Sequence, residues 1–219
     1  MIVPRSDASF LSKGNDRTRG SPSWPKILSC GKTLGYWLVS KRLFVAIDLP
    51  ESTRQLLSNL DPRVRGVRWV DAEQMHLTLG FFADVPEEID LAFREKLNGI
   101  DFGAFFLPII GVGAFPARGW PKVIWIGVGR GHPHLFQLHK RVSDAAIASE
   151  LEPDLRPWHP HITIARCRNV APQSVRELLK SNIDLDAGMI RVDSFHLYSS
   201  TLTPAGPIHT RELSVGCRE

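Results

Sequence analysis

The chain has few cysteines and no long apolar segment, and both shortages limit what kind of protein it is. Its 219 residues include only Cys30, Cys167 and Cys217, too few and too scattered for a disulfide framework or a CxxC metal motif. No apolar run approaches the roughly 18 residues that cross a bilayer. We therefore expect a cytoplasmic protein without membrane association, built as one compact domain or two closely packed lobes.

The formal charge of +4 is a property of the first part of the chain. Residues 1–41 carry seven basic and two acidic residues, which leaves 20 basic and 21 acidic residues in the remainder, a net charge of −1. Any nucleic-acid contact of that remainder must come from a local patch. Because residues 1–41 are rich in Ser, Gly, Arg and Lys and lack periodicity, we expect a poorly ordered basic extension before a folded domain over 42–219.

From Arg42 onward the hydrophobic pattern alternates between strand and helix, and the succession occurs twice. Predicted strands cover 42–49, 67–70, 75–82, several pieces between 102 and 128, 161–166, 189–199 and 212–215. Predicted helices cover 51–60, 86–98, 133–149 and 172–180, and residues 201–211 are expected to be irregular. The pattern predicts an α+β domain that arose by duplication and packs about a pseudo-twofold axis.

Two matching tetrapeptides, His76-Leu77-Thr78-Leu79 and His161-Ile162-Thr163-Ile164, mark the duplicated strands. Side chains alternate between the faces of a strand, so each His/Thr pair is expected on one face and each aliphatic pair in the core. Gly80 and Ala165 follow at the same offset, and we expect these small residues to line a tight anion site. The same alternation places Phe81 with the core residues.

Two imidazoles and two hydroxyls around one anion suit phosphate-ester chemistry. One histidine can remove a proton from water while the other supplies a proton to the leaving oxygen. Fixed hydroxyl donors stabilise the charge that develops on the phosphoryl oxygens. One His-x-Thr pattern alone is more typical of a structural strand histidine, but two copies in matching context predict that His76, Thr78, His161 and Thr163 form a catalytic site.

Metal catalysis and a catalytic thiol are rival interpretations. His159 and His161 lie on one strand face, but neither a carboxylate nor a cysteine completes a zinc spacing, so no metal or cofactor is expected. The group His132, His134 and His139 is expected to face solvent. Cys167 has no histidine placed by a motif to activate it and is taken as structural.

Several segments in order resemble the RNA 2′,3′-cyclic phosphodiesterases, also called 2′-5′ RNA ligases, of the two-histidine phosphoesterase superfamily. The segments are RLFVAIDLP (42–50), RWVDAEQMHLTLGFF (68–82), HPHITIAR (159–166) and LYSSTLTPAGP (197–207). The resemblance covers about residues 42–217 and leaves 1–41 without a counterpart.

The resemblance implies a bilobal fold with two antiparallel sheets that face a central cleft and helices outside. It also implies metal-independent hydrolysis of RNA 2′,3′-cyclic phosphate ends to a 2′-phosphate, with weak 2′-5′ ligation as a reverse reaction in some members. By this resemblance His76 protonates the leaving 3′ oxygen and His161 activates water, while Thr78 and Thr163 hold the phosphate.

Further substrate contacts are predicted from alternation on the neighbouring strands. Phe44 and Trp125 lie on non-core faces, where a base can stack or where the rings can pack between lobes. Arg42 shares the Phe44 face. Arg166 follows the second motif as in the family, yet alternation points it away from His161 unless the strand bends.

Two alternative functions stay open at this point: a noncatalytic RNA-binding protein on the same fold, and a phosphodiesterase for a small cyclic nucleotide or a 2′-5′ oligonucleotide. The expected partners are RNA ends or small cyclic nucleotides as substrates. We expect a monomer with no obligate protein partner.

Overall fold

A computed structural model of the protein describes residues 40–61, 63–129, 132–152, 154, 156–204 and 206–218. The predicted extension, 1–41, lies outside these residues except for its last two. The first strand starts at Lys41, one residue before the predicted beginning of the folded domain. Across the described ranges, no helix combines the length and the hydrophobicity that crossing a bilayer would require.

The elements follow the predicted alternation of strand and helix. The strands are β1 (Lys41–Asp48), β2 (Val67–Trp69), β3 (His76–Val85), β4 (Phe105–Ile110), β5 (Val112–Phe115), β6 (Val123–Gly127), β7 (His161–Cys167), β8 (Asp186–Val192), β9 (Ser194–Thr203) and β10 (Gly206–Gly216). The helices are α1 (Glu51–Ser58), α2 (Glu87–Asn98), α3 (Pro133–Ile147) and α4 (Pro172–Ser181), and Ala72–Gln74 forms a 3₁₀ turn.

The C-terminal part is more regular than predicted. The single strand expected over 189–199 is two strands, β8 and β9, and the segment expected to be irregular forms the antiparallel hairpin β9–β10. Its turn lies between Thr203 and Gly206, which pair directly. Pro207 is tolerated within β10 because that strand is at the edge of its sheet, where a missing donor does not break a ladder.

The strands form one eight-stranded sheet and a separate two-stranded sheet, β4–β8, and the pairings between these strands are antiparallel. The large sheet has the order β10-β9-β1-β3-β7-β6-β5, with β2 beside β7. Its two four-stranded halves join through one pair, Leu77 with Ile162, so the two tetrapeptides are direct neighbours. The predicted α+β, antiparallel fold is confirmed.

The core explains which face of the motif strands stays open. Leu77, Leu79, Ile162 and Ile164 are at most 2 % exposed and belong to one large apolar cluster. Helix α3 packs against β3, and α2 packs against α3 and β10. Burying each such aliphatic side chain contributes about 1.5–3 kcal/mol. The helices therefore cover the aliphatic face, and the histidines and threonines lie on the other.

Candidate active site

A β-bulge follows the threonine in each motif strand. In both halves one residue is inserted into the ladder: Leu79 between the pairs Ala46–Thr78 and Val45–Gly80, and Ile164 between the pairs Trp125–Thr163 and Ile124–Ala165. A bulge places two successive residues on the same face and reverses the alternation beyond it. The duplicated strands therefore share a backbone irregularity that simple period-two reasoning does not predict.

The bulges place Gly80 and Ala165 on the core side, so the prediction that they line the anion site is wrong. A Cβ atom at Gly80 would lie 3.0 Å from the Phe82 ring and 3.7 Å from Val142. Ala165 is fully buried. Both positions require small residues because the inserted residue before them already occupies the same face.

The reversed alternation turns Phe81 and Arg166 toward the site. Phe81 was predicted in the core but is 46 % exposed, and Phe82 is buried in its place. Arg166, which alternation pointed away from His161, lines the same cavity as both histidines. Each of these side chains is five residues beyond its motif histidine, so the two halves present an aromatic ring and a guanidinium at equivalent positions.

All four predicted catalytic residues line one cavity of about 320 Å³. The register of Leu77 with Ile162, continued by one residue in each direction, sets His76 against Thr163 and His161 against Thr78. The other lining residues are Arg42, Phe44, Arg68, Trp69, Val70, Asp71, Gln74, Phe81, Arg166, Ser200, Leu202, Pro207 and His209. The cavity is thus large enough for a phosphate and an attached sugar, and its charged side chains are mostly cationic.

The two histidines are held by the same contact. Nδ1 of His76 donates a hydrogen bond to the carbonyl oxygen of Gln74, and Nδ1 of His161 donates to that of His159, both at 2.7 Å. Because this contact occupies Nδ1–H, Nε2 is the nitrogen that exchanges protons. Each ring can therefore accept or supply a proton through Nε2.

Burial favours the neutral form of both rings. Burial lowers the pKa of His76 to about 4, and the nearby His209 and Arg166 act in the same direction. Burial also lowers the pKa of His161, and His159 contributes to the shift. A bound phosphate anion has the opposite effect, because an opposite charge stabilises an imidazolium.

Helix α3 and the segment before β7 support the first bulge. Nδ1 of His139 donates to the Leu79 carbonyl oxygen at 2.8 Å, and the indole of Trp158 donates to that of Thr78 at 3.3 Å. The two rings stack with centroids 3.9 Å apart. His139 is half-buried, so the prediction that it faces solvent is wrong. The hydrophobic pattern of α3 does not by itself show that this turn of the helix contacts the bulge in β3.

Two arginines lie side by side in the lining of the cavity. Arg68 on β2 is paired directly with Arg166 on β7, and both line the cavity. Two guanidinium groups on one cavity wall are suited to bind an anion, because hydrogen bonds between charged groups are stronger than neutral ones. Arg68 was not predicted as a site residue; its only signal was its place at the start of the RWVDAEQ segment.

Arg42 on β1 and Phe81 in the middle of β3 form part of the cavity lining. The guanidinium carbon of Arg42 lies 5.4 Å from the centroid of the Phe81 ring, a cation–π contact. Arg42 is exposed and lines the cavity together with Leu202, which is 63 % exposed.

The predicted aromatic contacts occupy different places. Phe44 is only 4 % exposed and is stacked between His76 and Tyr198, at centroid distances of 4.8 and 5.1 Å. Trp125 does not line the catalytic cavity. It lines a neighbouring cavity of about 780 Å³ and lies 4.8 Å from the His159 ring.

In the sequence three further basic residues, Arg118, Lys122 and Arg130, flank β6, and Cys167 is the last residue of β7. Arg118 is exposed, Lys122 is exposed directly before the first residue of β6, and Arg130 lies outside the described residues. Burial raises the pKa of the Cys167 thiol, which disfavours a thiolate nucleophile. Within the part of the chain that the structure describes, no three His, Cys, Asp or Glu side chains are arranged as metal ligands.

Fold and site together define a two-histidine phosphoesterase: two His-x-Thr strands are paired about a pseudo-twofold and share a cationic cavity. The family model described as LigT like Phosphoesterase matches the chain twice, over residues 47–125 and 126–209. The chain belongs to this family. The double match follows the duplication that the motifs predicted.

Individual relatives agree with the family match. The RNA 2′,3′-cyclic phosphodiesterase of Archaeoglobus fulgidus is 34 % identical over 172 residues, 77 % of this chain and 96 % of the relative. The protein of the same name from Thermus thermophilus is 32 % identical over 180 residues, 77 % of this chain and 86 % of the relative. Among solved structures, E. coli LigT without ligand has a TM-score of 0.68 at 26 % identity and covers 82 % of this chain and 99 % of its own.

Proposed function

We propose that the protein hydrolyses 2′,3′-cyclic phosphate ends of RNA to 2′-phosphates without a metal ion. The observation that carries the proposal is the pair of histidines with identical Nδ1 anchors, which share one cationic cavity with both threonines. The names of the relatives, RNA 2′,3′-cyclic phosphodiesterase, support the choice of substrate. A solved structure of E. coli LigT with 3′-AMP, 26 % identical to this chain, agrees with a nucleotide ligand.

In the proposed reaction, the histidines exchange protons through Nε2. His161 accepts a proton from water, the water oxygen bonds to phosphorus, and the bond from phosphorus to the 3′ oxygen breaks as His76 protonates that oxygen. The product keeps the phosphate on the 2′ oxygen. Because water must attack opposite the leaving oxygen, the reaction needs one imidazole on each side of the phosphate, and the pairing of β3 with β7 supports this proposal.

Four further side chains are proposed to bind the phosphate. Thr78 and Thr163 lie across from the histidines and would donate their hydroxyl protons to non-bridging oxygens. Arg166 and Arg68 would offset the charge that increases on those oxygens in the transition state. Charge-assisted contacts of this kind are about twice as strong as those between neutral groups.

The remaining predicted contacts would bind the nucleoside portion of the substrate. Trp125 is proposed to stack on a base in the neighbouring cavity, which it lines together with Phe136 and Trp158. Arg42, held over Phe81, is proposed to contact the RNA backbone at the rim. Both faces of Phe44 are covered by rings, so its proposed contribution is to shape the wall beside His76.

The decisive experiment is hydrolysis of 2′,3′-cyclic AMP and of a short RNA with a 2′,3′-cyclic phosphate end, in the presence of a chelator. We expect a 2′-phosphate product. Replacing His76 or His161 by Ala should reduce turnover about 10²–10⁴-fold, the usual contribution of a general acid or base. His134→Ala is the matched control, because His134 is exposed on α3 and lines neither cavity.

The same assay separates the alternatives. Full turnover in either histidine variant, or turnover only with added metal, would contradict the mechanism. RNA binding without turnover would identify a noncatalytic binding protein, and a much higher kcat/KM for the mononucleotide than for the RNA would favour a small-nucleotide phosphodiesterase. RNA with a 5′-hydroxyl end, added at high concentration, tests the reverse reaction that forms a 2′-5′ linkage.

We also propose that the protein acts in the cytoplasm as a monomer. The three scattered cysteines support a reducing compartment. Sedimentation at the concentration of the assay measures the oligomeric state.

A further inference from the structure

A third imidazole, His209, lines the cavity beside His76. It lies on β10, in the segment where no regular structure was predicted and no motif marked it. Its ring meets Phe44 edge-on at 4.8 Å and His76 at 5.9 Å, nearly perpendicular to both. His209 also borders a second cavity behind His76, so the three rings form the partition between the two spaces.

The Nδ1 atom of His209 is buried and has no hydrogen-bond partner in the described part of the protein. An unpaired buried polar atom destabilises a fold by about 1–3 kcal/mol, and a phenyl ring in this place would avoid that cost. His76 and His161, by contrast, each have a carbonyl oxygen at Nδ1. Packing alone therefore gives no reason for an imidazole at this position.

The burial of Nδ1 also determines which edge of the ring is available. His209 is partly exposed and borders open space, so the edge that carries Nε2 faces the cavities. A buried N–H without an acceptor is rarer in proteins than a buried acceptor without a donor. The favoured tautomer consequently has its proton on Nε2, where it points a donor into the cavity.

The charges nearby indicate what that donor binds. Burial, with a further contribution from Arg166, lowers the pKa of His209, so the ring stays neutral near pH 7. Arg166 also acts on His76, so these three groups lie around the same part of the cavity. An anion bound by Arg166 would therefore lie close to the neutral Nε2–H donor of His209.

We propose that His209 is a third imidazole of the active site, which donates a hydrogen bond from Nε2 to a non-bridging oxygen of the bound phosphate. It supplements the threonines, and it does so only on the His76 side, so the two halves of the site are chemically unequal. This inference rests on the proposed function, because it assumes that the cavity binds a phosphate group.

The test compares substitutions that separate ring shape from hydrogen bonding. His209→Phe keeps the edge contacts and removes the donor, His209→Gln places an amide N–H near the position of Nε2, and His209→Asn places it near buried Nδ1. Binding of inorganic phosphate is measured by calorimetry, and KM and kcat are measured with 2′,3′-cyclic AMP. We expect phosphate to bind about 10- to 100-fold more weakly to the Phe and Asn variants. The Gln variant should stay within about 3-fold of the wild type.

Each result has a defined meaning. Equal phosphate affinity in His209→Phe and the wild type would overturn the proposal and leave His209 a packing residue. If His209→Asn kept its phosphate affinity and His209→Gln lost it, the proposal would also be overturned, because Nδ1 would then be the donor. A wild type that binds phosphate but does not turn over substrate contradicts the proposed function alone. His134→Phe, on exposed surface, controls for loss of a histidine.

Discussion

The two motif histidines have the same anchor but different surroundings. The ring of His76 is stacked on Phe44 and has His209 at its edge, whereas His161 has the edge of Phe115 at 5.0 Å. Burial lowers the pKa of both rings and brings that of His76 to about 4, with smaller contributions from His209 and Arg166. In the proposed mechanism His76 must nevertheless carry the proton, so substrate binding has to supply the stabilising negative charge.

This imbalance predicts a pH profile. In the free enzyme both pKa values lie below the usual histidine value of 6.5, with that of His76 at about 4. A bell-shaped dependence of kcat/KM has its maximum midway between the two values, so the optimum should lie below pH 6.5. The bound phosphate raises both pKa values, so the optimum of kcat should lie at higher pH than that of kcat/KM. Coincident optima, or an optimum of kcat/KM above neutrality, would contradict these assignments.

At the scale of elements, the bulge in each motif strand decides what reaches the cavity. The bulges turn Arg166 and Phe81 toward the cavity and put Gly80 and Ala165 into the core. The carbonyl oxygens of the inserted residues have partners outside the usual ladder. His139 donates to Leu79, and the backbone N–H of Val70 donates to Ile164 at 2.9 Å.

Gly80→Val tests the first bulge. The new side chain would meet Phe82 at 3.0 Å and Val142 at 3.7 Å, and overpacking of this kind destabilises a core by about 1–3 kcal/mol. Urea denaturation should show this loss in the free energy of unfolding. Gly103→Val is the matched control, since nothing lies within 4 Å of its Cβ position and it should change little. Equal stability of both variants would contradict the proposed crowding at the bulge.

A buried ion network joins the first strand to the rest of the molecule. Asp90 on α2 is 1 % exposed and accepts from Lys41 Nζ at 2.9 Å and from Arg94 Nε at 2.7 Å. Arg94 continues to Glu212 on β10 at 3.0 Å. Burial opposes ionisation of Asp90, but the hydrogen bonds from Arg94 and Lys41 outweigh it and lower its pKa. The ionised carboxylate therefore stabilises the fold above the unfolded value near 3.8, and this contribution is lost as the pH falls further.

At the scale of the whole molecule, the network defines where the chain can be shortened. We propose that residues 1–39 are not needed for catalysis, because the cavity lining lies within residues 42–209. A chain of residues 40–219 should match the full chain in kcat/KM. A chain that starts at Arg42 lacks Lys41 and should keep its activity but unfold at a lower temperature, since it leaves a buried carboxylate with one partner fewer. A large loss of activity on removing residues 1–39 would mean that they contribute to the site.

Much of the site could be predicted because it depends on local alternation. On each motif strand, His/Thr and aliphatic residues separate by face as period two requires, and Pro172 begins a helix where expected. Prediction failed where the alternation is interrupted, or where a cavity-lining side chain comes from a segment far away in the sequence. Phe81 reaches the cavity because of the bulge in β3, and Arg68 reaches it from the short strand β2. His209 reaches it from the β9–β10 hairpin, whose prolines had indicated irregular structure.

The sequence by itself determined the duplication, the two motif strands and the pairing of two imidazoles with two hydroxyls, because these depend on residue types at fixed local spacing. The tertiary structure decided that the strands lie side by side through Leu77 and Ile162, and that Arg166 and His209 share their cavity. Register, bulges and the packing of α3 come from contacts between segments far apart in the chain, which periodicity within one segment does not contain.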